Sequence, residues 1–297
     1  MSSYKKAEKF PPTNTILKAI VCGYERGGTT LINELLRAHP ELDSGFECGF
    51  LLATSPRDYL NPEFNEFNGS LIRNGWKITQ EELVDYICTS DSWSTAYRRL
   101  REKSRVISDK SVLLFDKTPK YLLHLDSVLE KVPGVPCIVI AKEAKGVIWS
   151  WIKRSHLTRE AAIESDQLFA YANRYVSYFN GYKRAMRLYS DRILLIHYDR
   201  LCLQPHREVK RIFDFLGLNY SRKLLKFEPN YGVHGSKVSI KYMNEYKDYL
   251  PEPILNRIDE LTKKACWEFD EPDKSRKLAR LADRCLSSLK NVMNAIR

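Results

Sequence analysis

The sequence predicts an α/β fold in which a central parallel sheet is flanked by helices, giving three layers. Four short apolar runs each end at polar residues and are followed by a helical pattern; they lie at about 16–22, 112–115, 137–141 and 193–196. Continuous apolar runs of this length are typical of parallel strands that are buried on both faces. Because no linker, repeat or low-complexity segment divides the chain, we expect one domain over residues 14–297.

Helical patterns connect these strands along the whole chain. Residues 1–13 are polar, end in Pro11-Pro12 and predict a flexible lead-in. Helices are expected at about 29–38, 121–131, 145–155, 158–188, 205–216 and 252–265, the last one opening a helical C-terminal segment at about 252–297.

Two stretches interrupt this alternation. Residues 41–52 resemble a short strand and turn, with Glu47 in the middle. From 53 to 105 the pattern is helical but broken by Pro, Asn and Gly, which predicts a helical insertion over the sheet. Within it, Thr79 and Glu82 have the spacing of a capping box that opens a helix.

Composition limits the compartment and the ligands. The 48 Lys and Arg outnumber the 37 Asp and Glu, and the net charge of +11 favours anionic ligands. The seven Cys form no CxxC pair, and an odd count fits a reducing compartment. The first residues lack the apolar region of a signal peptide, and no apolar run is long enough to cross a membrane. We therefore expect a cytoplasmic protein without an integral membrane segment.

The first strand runs into a glycine-containing loop that is suited to hold a phosphate. The apolar run stops at Gly23, the pair Gly27-Gly28 follows, and a helical pattern begins after Thr29-Thr30. The first backbone N–H groups of a helix lack intrahelical partners, and glycines let the main chain approach an anion closely. The alternative is an ordinary strand–loop–helix turn that contains two glycines.

The same loop departs from a Walker A motif in an informative way. The spacing from Gly23 to Gly28 fits that motif, but Thr29-Thr30 stands where the Lys-Ser/Thr should be, and Arg26 lies inside the loop. A nucleoside triphosphatase needs that lysine against the phosphates and a hydroxyl on Mg²⁺. The loop therefore predicts a nucleotide-type donor that is handled without a metal.

Charged residues follow the other strands of the predicted sheet. Lys117 and Lys142 come directly after two strands, and Ser150 and Arg154, four apart on the next helix, share one face. Ligands of such sheets bind beyond the carboxyl ends of the strands. We therefore expect Lys142, Ser150 and Arg154 to converge on one doubly charged anion.

In order and spacing, these segments resemble the sulfotransferases that use 3′-phosphoadenosine 5′-phosphosulfate (PAPS), which have a P-loop NTPase-like fold. The first motif of that family is close to Pro-Arg-Ser-Gly-Thr-Thr and stands here as residues 25–30. Its Leu-Leu-x-x-His-Pro stands at 35–40, and its Asp-Lys-Thr-Pro is intact at 116–119. The second motif, Arg-Asp-Pro followed by Ser-x-x-x-Arg, matches Lys142 to Arg154 in spacing. The likeness extends over about 16–240, including Tyr-Asp-Arg-Leu at 198–201.

The resemblance implies a role for each of these residues. Gly27, Gly28, Thr29 and Thr30 would hold the 5′-phosphosulfate, and Lys142, Ser150 and Arg154 the 3′-phosphate. Arg26 and Lys117 would neutralise charge during an in-line displacement that needs no metal and leaves the product PAP. Ser236 and Lys237 resemble the loop that folds over the nucleotide.

The acceptor hydroxyl also needs a general base. Glu47 stands where the tyrosylprotein sulfotransferases, which look similar here, place their catalytic glutamate. The rival is a histidine, as in the cytosolic small-molecule branch, and the chain offers His39, His124, His156, His197, His206 and His234. His39 lies in the helix-ending His-Pro and is interpreted as structural.

Some positions depart from the family pattern. Lys142 replaces an arginine, so a bidentate fork becomes a point charge. Gly27 replaces a serine and removes a hydroxyl from the loop. Trp149 and Trp151 are interpreted as core residues rather than as partners of an adenine.

The acceptor is not specified by these motifs. Residues 48–105 and 156–190 should line its site, and their aromatic and basic content favours a carbohydrate, then a tyrosine or a small molecule. We expect no nucleic-acid partner. The alternatives are a P-loop kinase-like phosphotransferase and a non-catalytic binder of polyanions, and the oligomeric state is unknown.

Overall fold

The computed structural model describes residues 16–64, 67, 69–155, 157–227 and 237–267. Within these ranges the strands form one five-stranded sheet in the order β2-β3-β1-β4-β5, and every pair is parallel. The strands are β1 Leu17–Gly23, β2 Leu42–Asp43, β3 Leu113–Lys117, β4 Cys137–Ala141 and β5 Ile193–His197. The predicted parallel sheet is confirmed, and the stretch 41–52 contributes only the two-residue edge strand β2.

The central strand β1 aligns the carboxyl ends of its neighbours. Val21 of β1 pairs with Lys117 of β3, and Gly23 pairs with Ile140 of β4. The loop after Gly23 therefore lies beside Lys117 on one side and beside Lys142, which follows β4, on the other. This register brings the predicted phosphate loop and two of the predicted cations to the same edge of the sheet.

The connections are helical, close to where the periodicity predicts them. The α-helices are α1 Thr29–Arg37, α2 Ser70–Trp76, α3 Gln80–Leu83, α4 Trp93–Lys103, α5 Leu125–Lys131, α6 Ala144–Ile152, α7 Arg159–Ile163, α8 Ser165–Tyr189, α9 Tyr198–Leu203, α10 Pro205–Leu216 and α11 Glu252–Thr262. The single helix expected at 158–188 is split into α7 and α8, because Glu164 between them leaves the helical region with φ −55° and ψ 151°. Among the described helices, none combines the length and the apolarity that crossing a bilayer requires.

The core lies on both faces of the sheet, which produces three layers. Ile20 and Cys22 of β1 belong to one buried cluster, and Ala19 and Val21 belong to the other. This alternation is the period-2 pattern of a strand that is covered on both sides. Residues of α5, α6 and α8 complete the first cluster, and those of α1 and α10 complete the second.

The segment 53–105 contains α2, α3 and α4 and shares the core of the sheet. The capping box is present: Glu82 N donates to Thr79 Oγ1 at 3.2 Å, and Thr79 N donates to Glu82 Oε2 at 2.7 Å. The helix that it opens stays α-helical only to Leu83 and continues as a π-turn over Val84–Cys88. Tyr97 of α4 is 1% exposed and packs in the same cluster as β1 and β3.

Candidate active site

A cleft of about 580 Å³ opens at the carboxyl ends of the strands. This is where ligands bind in open α/β sheets. Its lining includes the predicted residues Arg26, Gly28, Thr29, Thr30, Glu47, Lys117, Lys142, Ser150 and Arg154. The fold thus brings together, in one cleft, residues that are spread over nearly 130 positions of the chain.

The loop between β1 and α1 is held in an unusual backbone conformation. Arg26 has φ 68°, and Gly28, the residue before α1, has φ 105°. A non-glycine residue in a sparsely populated backbone region costs about 1–3 kcal/mol and persists where the surroundings fix it, often at functional sites. At Gly28 a Cβ would lie 2.5 Å from the ring of Tyr198, so no larger residue fits without displacing that ring.

Gly27 shapes the loop without lining the cleft. Its N–H donates to Tyr24 O at 2.8 Å, so this donor is already engaged. A Cβ at Gly27 would lie 2.9 Å from both Tyr24 Cβ and Tyr24 O. The glycine that replaces the serine of the family motif is therefore required by the close approach of Tyr24. Gly28, Thr29 and Thr30 line the cleft instead.

Glu47 and Lys117 form an ion pair in the cleft. Lys117 Nζ lies 2.5 Å from Glu47 Oε1, and the side chains are 2% and 24% exposed. Lys117 Nζ also lies 5.1 Å from the centroid of the Phe46 ring. Because burying an ammonium is costly without a counter-charge, the Glu47 carboxylate stabilises Lys117 at this position. The predicted base and the predicted cation are thus in contact.

Arg26, Ser150 and Arg154 approach one another across the cleft. Arg26 Nε lies 3.5 Å from Ser150 Oγ, at the outer limit of a hydrogen bond. Partial burial and the neighbouring Arg154 guanidinium lower the pKa of Arg26. The expectation that Ser150 and Arg154 share a helix is wrong, because α6 ends at Ile152 and Arg154 lies in the turn that follows. Two like charges beside a hydroxyl nevertheless suit an anion between them.

Lys142 is a buried cation that lines the cleft. It is 6% exposed, its Nζ donates to Tyr242 O at 3.0 Å, and Nζ lies 4.4 Å from the centroid of the Tyr198 ring. Burial lowers the pKa of Lys142, and Asp199 partly opposes that shift. At Gly146 a Cβ would lie 2.7 Å from Lys142 Cε, so the glycine near the start of α6 makes room for this side chain.

The two tryptophans of α6 have different surroundings. Trp151 is a core residue, as predicted: its Nε1 donates to Glu25 O at 3.0 Å, and the Arg174 guanidinium lies 4.6 Å from its ring centroid. Trp149 is also buried, but it lines the cleft and stacks on Tyr249 with ring centroids 4.9 Å apart. Its Nε1 is buried and has no hydrogen-bond partner in the described part of the chain.

One wall of the cleft comes from a segment that the sequence motifs do not reveal. Tyr242, Glu245 and Tyr246 line the cleft, and Lys153 Nζ lies 2.5 Å from Glu245 Oε2. The two partners of this ion pair are 92 positions apart. Lys153, which precedes Arg154, also lines the cleft. The sequence does not single it out as a site residue, because a lone lysine there is indistinguishable from a surface cation.

The predicted nucleotide-covering loop lies only partly within the described residues. Ser236 lies outside them. Lys237 forms an isolated antiparallel bridge with Lys226 and does not line the cleft.

The histidines in the described ranges do not line the cleft. His39 is structural, as predicted: Glu41 N donates to its Nδ1 at 3.2 Å, so Nε2 carries the proton and donates to Asn219 O at 3.1 Å. Burial and the nearby Arg200 lower the pKa of His197 to about 4. His124 lines a separate cavity, and His156 and His234 lie outside the described residues.

The profile of the sulfotransferase family matches residues 19–222, which is more than half of the chain. This chain belongs to the sulfotransferase family. The matched range contains the loop after β1, the Asp-Lys-Thr-Pro segment and the residues from Lys142 to Arg154. The cleft is therefore the candidate active site of a sulfotransferase.

Known sulfotransferases are similar to this chain at low identity. Protein-tyrosine sulfotransferase 2 of Gallus gallus is 22% identical over 239 residues, which cover 78% of this chain and 59% of the relative. Protein-tyrosine sulfotransferase 1 of Danio rerio is 22% identical over 236 residues, with coverages of 78% and 61%. The chain thus spans about three fifths of the length of these two relatives.

Solved structures support the fold. The sulfotransferase domain of the Synechococcus PCC 7002 olefin synthase has a TM-score of 0.60 at 18% identity. The alignment covers 84% of this chain and 94% of that domain. At this identity the likeness shows a common fold, a parallel sheet flanked by helices.

Proposed function

We propose that this sulfotransferase moves a sulfuryl group from PAPS to an acceptor hydroxyl, with Glu47 as general base. The observation that carries the proposal is the contact of 2.5 Å between Glu47 and Lys117, in the cleft that also holds Arg26 and Ser150. The Glu47 carboxylate can accept a proton, and the Lys117 ammonium beside it can neutralise developing negative charge. An in-line displacement at a sulfuryl group needs both of these.

The residues of the cleft fit a nucleotide with two anionic ends. Gly28, Thr29 and Thr30 at the start of α1 would hold the 5′-phosphosulfate, because backbone N–H groups converge there. Lys142, Ser150 and Arg154 would hold the 3′-phosphate. Trp149 also lines the cleft and would pack against the remainder of the nucleotide. When bound, the donor supplies an activated sulfuryl group.

The side chains around Glu47 divide the chemistry between them. Glu47 accepts the proton of the acceptor hydroxyl as that oxygen bonds to sulfur. Arg26 and Lys117 stabilise the negative charge that appears on the oxygen left with the phosphate. Preorganised charges of this kind are each worth roughly 10²–10³ in kcat. Since the loop geometry holds Arg26 and burial surrounds Lys117, both cations lie in the cleft before reaction, and little movement of the backbone is needed.

The acceptor is a hydroxyl, and two classes compete for it. The basic and aromatic content of residues 48–105 and 156–190 favours a carbohydrate. The names of the vertebrate relatives favour a peptide tyrosine. Turnover of labelled PAPS with a panel of glycans, tyrosine peptides and simple phenols decides between these classes.

Ligand binding tests the donor independently of the acceptor. A ligand at 100 times its Kd stabilises the folded state by about 2.7 kcal/mol, which corresponds to roughly 5 °C or more in Tm for a domain of this size. We expect PAP to give such a shift and ATP with Mg²⁺ to give little. A shift with ATP and none with PAP would favour the phosphotransferase alternative. Equal, steeply salt-dependent binding of unrelated polyanions would favour the non-catalytic one.

A further inference from the structure

Asp116 and Lys117 are neighbours at the end of β3 and therefore point to opposite faces of the sheet. Lys117 reaches the cleft, whereas Asp116 is 2% exposed and lies in the core. A buried carboxylate is costly unless hydrogen-bond donors surround it. Four uncharged donors do so: Tyr97 OH at 2.5 Å, Tyr121 OH at 2.7 Å, Thr118 Oγ1 at 2.9 Å and Cys48 Sγ at 3.1 Å. We call these five residues the Asp116 cluster.

The Asp116 cluster is hydrogen-bonded to the segment that follows Glu47. Cys48, the next residue along the chain, bonds directly to the Asp116 carboxylate. Gly49 N donates to Thr118 Oγ1 at 3.2 Å, and Leu51 N donates to Tyr121 OH at 3.1 Å. Three of the four residues after Glu47 are therefore attached to the cluster.

Two links join the same pair of segments side by side. Glu47 contacts Lys117 in the cleft, and Cys48 contacts Asp116 in the core, at the adjacent positions of both segments. The inner link fixes the backbone on which the outer one depends. Tyr97 belongs to α4, so its bond to Asp116 attaches the helical insertion to the core side of the segment that carries Glu47.

The hydrogen bonds of the cluster persist across the pH range in which proteins work. Burial raises the pKa of Tyr97, Tyr121 and Cys48 well above their ordinary values, and the Asp116 carboxylate adds to this effect. All three groups therefore keep their protons and remain donors.

We propose that the Asp116 cluster is a positioning network that holds Glu47 at the distance and angle at which it accepts the acceptor proton. This inference rests on the proposed function of Glu47 as the base. A general base must lie within about 2.6–3.2 Å of its partner, and a misplacement of about 1 Å can cost roughly 10²-fold in rate. The cluster touches no reacting atom, so its effect is expressed through Glu47.

Single hydroxyl deletions test the network. We expect Tyr121→Phe and Tyr97→Phe to lower kcat roughly 10- to 100-fold, while the Kd for PAP and the KM for the donor stay within twofold. Rates are expressed per PAP-binding site, so that loss of folded protein does not count as loss of turnover. The matched control is Tyr220→Phe, because the Tyr220 hydroxyl is buried and has no hydrogen-bond partner among the described residues. It should leave kcat unchanged.

Cys48 provides a second test if the tyrosine variants fold poorly. Cys48→Ser keeps a donor to Asp116, whereas Cys48→Ala removes it. We expect the serine variant to retain kcat per PAP site and the alanine variant to lose about tenfold. If the cluster has a purely structural role, the tyrosine variants and Cys48→Ala should have a lower Tm but an unchanged kcat per PAP site.

The outcomes separate this inference from the proposed function. Wild-type kcat per PAP site in Tyr121→Phe, Tyr97→Phe and Cys48→Ala, alongside an inactive Glu47→Gln, would overturn the network and leave the function standing. An active Glu47→Gln would overturn both, since the network then has no base to position.

Discussion

Replacing Glu47 by glutamine removes a negative charge and a proton acceptor while it keeps the shape of the side chain. General base catalysis typically contributes about 10²–10⁴-fold, and we expect kcat to fall by that factor. PAP binding should be retained, because Glu47 is not among the residues assigned to the phosphates.

The same substitution has a calculable effect on stability. Lys117 is 2% exposed, and removing the partner of a buried charge typically costs about 3–5 kcal/mol. The glutamine oxygen still accepts a hydrogen bond from Lys117 Nζ, so we expect a smaller loss of about 1–3 kcal/mol. This corresponds to a decrease of a few degrees in Tm, which PAP should partly reverse.

Three measurements on one preparation check this prediction. Turnover of labelled PAPS gives kcat, titration with PAP gives Kd and the number of sites, and thermal unfolding gives Tm. Asp259→Asn is the control. It neutralises a carboxylate that lies 2.6 Å from Lys145 Nζ, and neither residue lines the cleft. If Glu47→Gln turns over within twofold of the wild type, the proton goes elsewhere and the reasoning from the 2.5 Å contact fails.

Three further substitutions probe the donor side. Gly27→Ser restores the residue of the family motif, yet its Cβ would lie 2.9 Å from Tyr24. We therefore expect the free energy of unfolding to fall by about 1–3 kcal/mol and PAP affinity not to rise. Tighter PAP binding at an unchanged Tm would contradict this expectation. Because burial lowers the pKa of Lys142, its ammonium loses its charge at a lower pH than an exposed lysine, and PAP affinity should weaken as pH rises through that pKa. Lys142→Arg should flatten this dependence at pH values below the ordinary lysine pKa of 10.5, and parallel profiles would refute the assignment. Arg154→Ala should weaken PAP binding by about 1.5–3 kcal/mol, measured by calorimetry, and an unchanged Kd would exclude a phosphate contact.

Much of the fold follows from local patterns. Apolar runs that end at Gly23 and Ala141 mark strands, and Pro205 begins α10 because proline fits the first turn of a helix. Strand ends in a parallel sheet share an edge, so the approximate meeting of Lys117 with the loop at Arg26 also follows from the sequence.

Other features depend on contacts that no local pattern encodes. The left-handed residues of the loop are Arg26 and Gly28, whereas Gly27 is needed for the approach of Tyr24. The bond from Lys142 to Tyr242 joins residues 100 positions apart, and the bond from Tyr97 to Asp116 joins a helix to a strand 19 positions further on. Such contacts are set by packing after the elements have formed, so periodicity alone does not predict them.

The adjacent contacts Glu47–Lys117 and Cys48–Asp116 differ in whether each has to break during a catalytic cycle. In the proposed mechanism the outer ion pair opens in every turnover, because Lys117 would stabilise the departing oxygen and Glu47 would accept the proton of the acceptor. The inner bond is shielded from solvent and is not required to change. The backbone therefore keeps its place while the ammonium exchanges one anionic partner for another, and the conformational entropy of that exchange is confined to a single side chain. A reaction centre built this way can reset after each cycle without a loop having to refold.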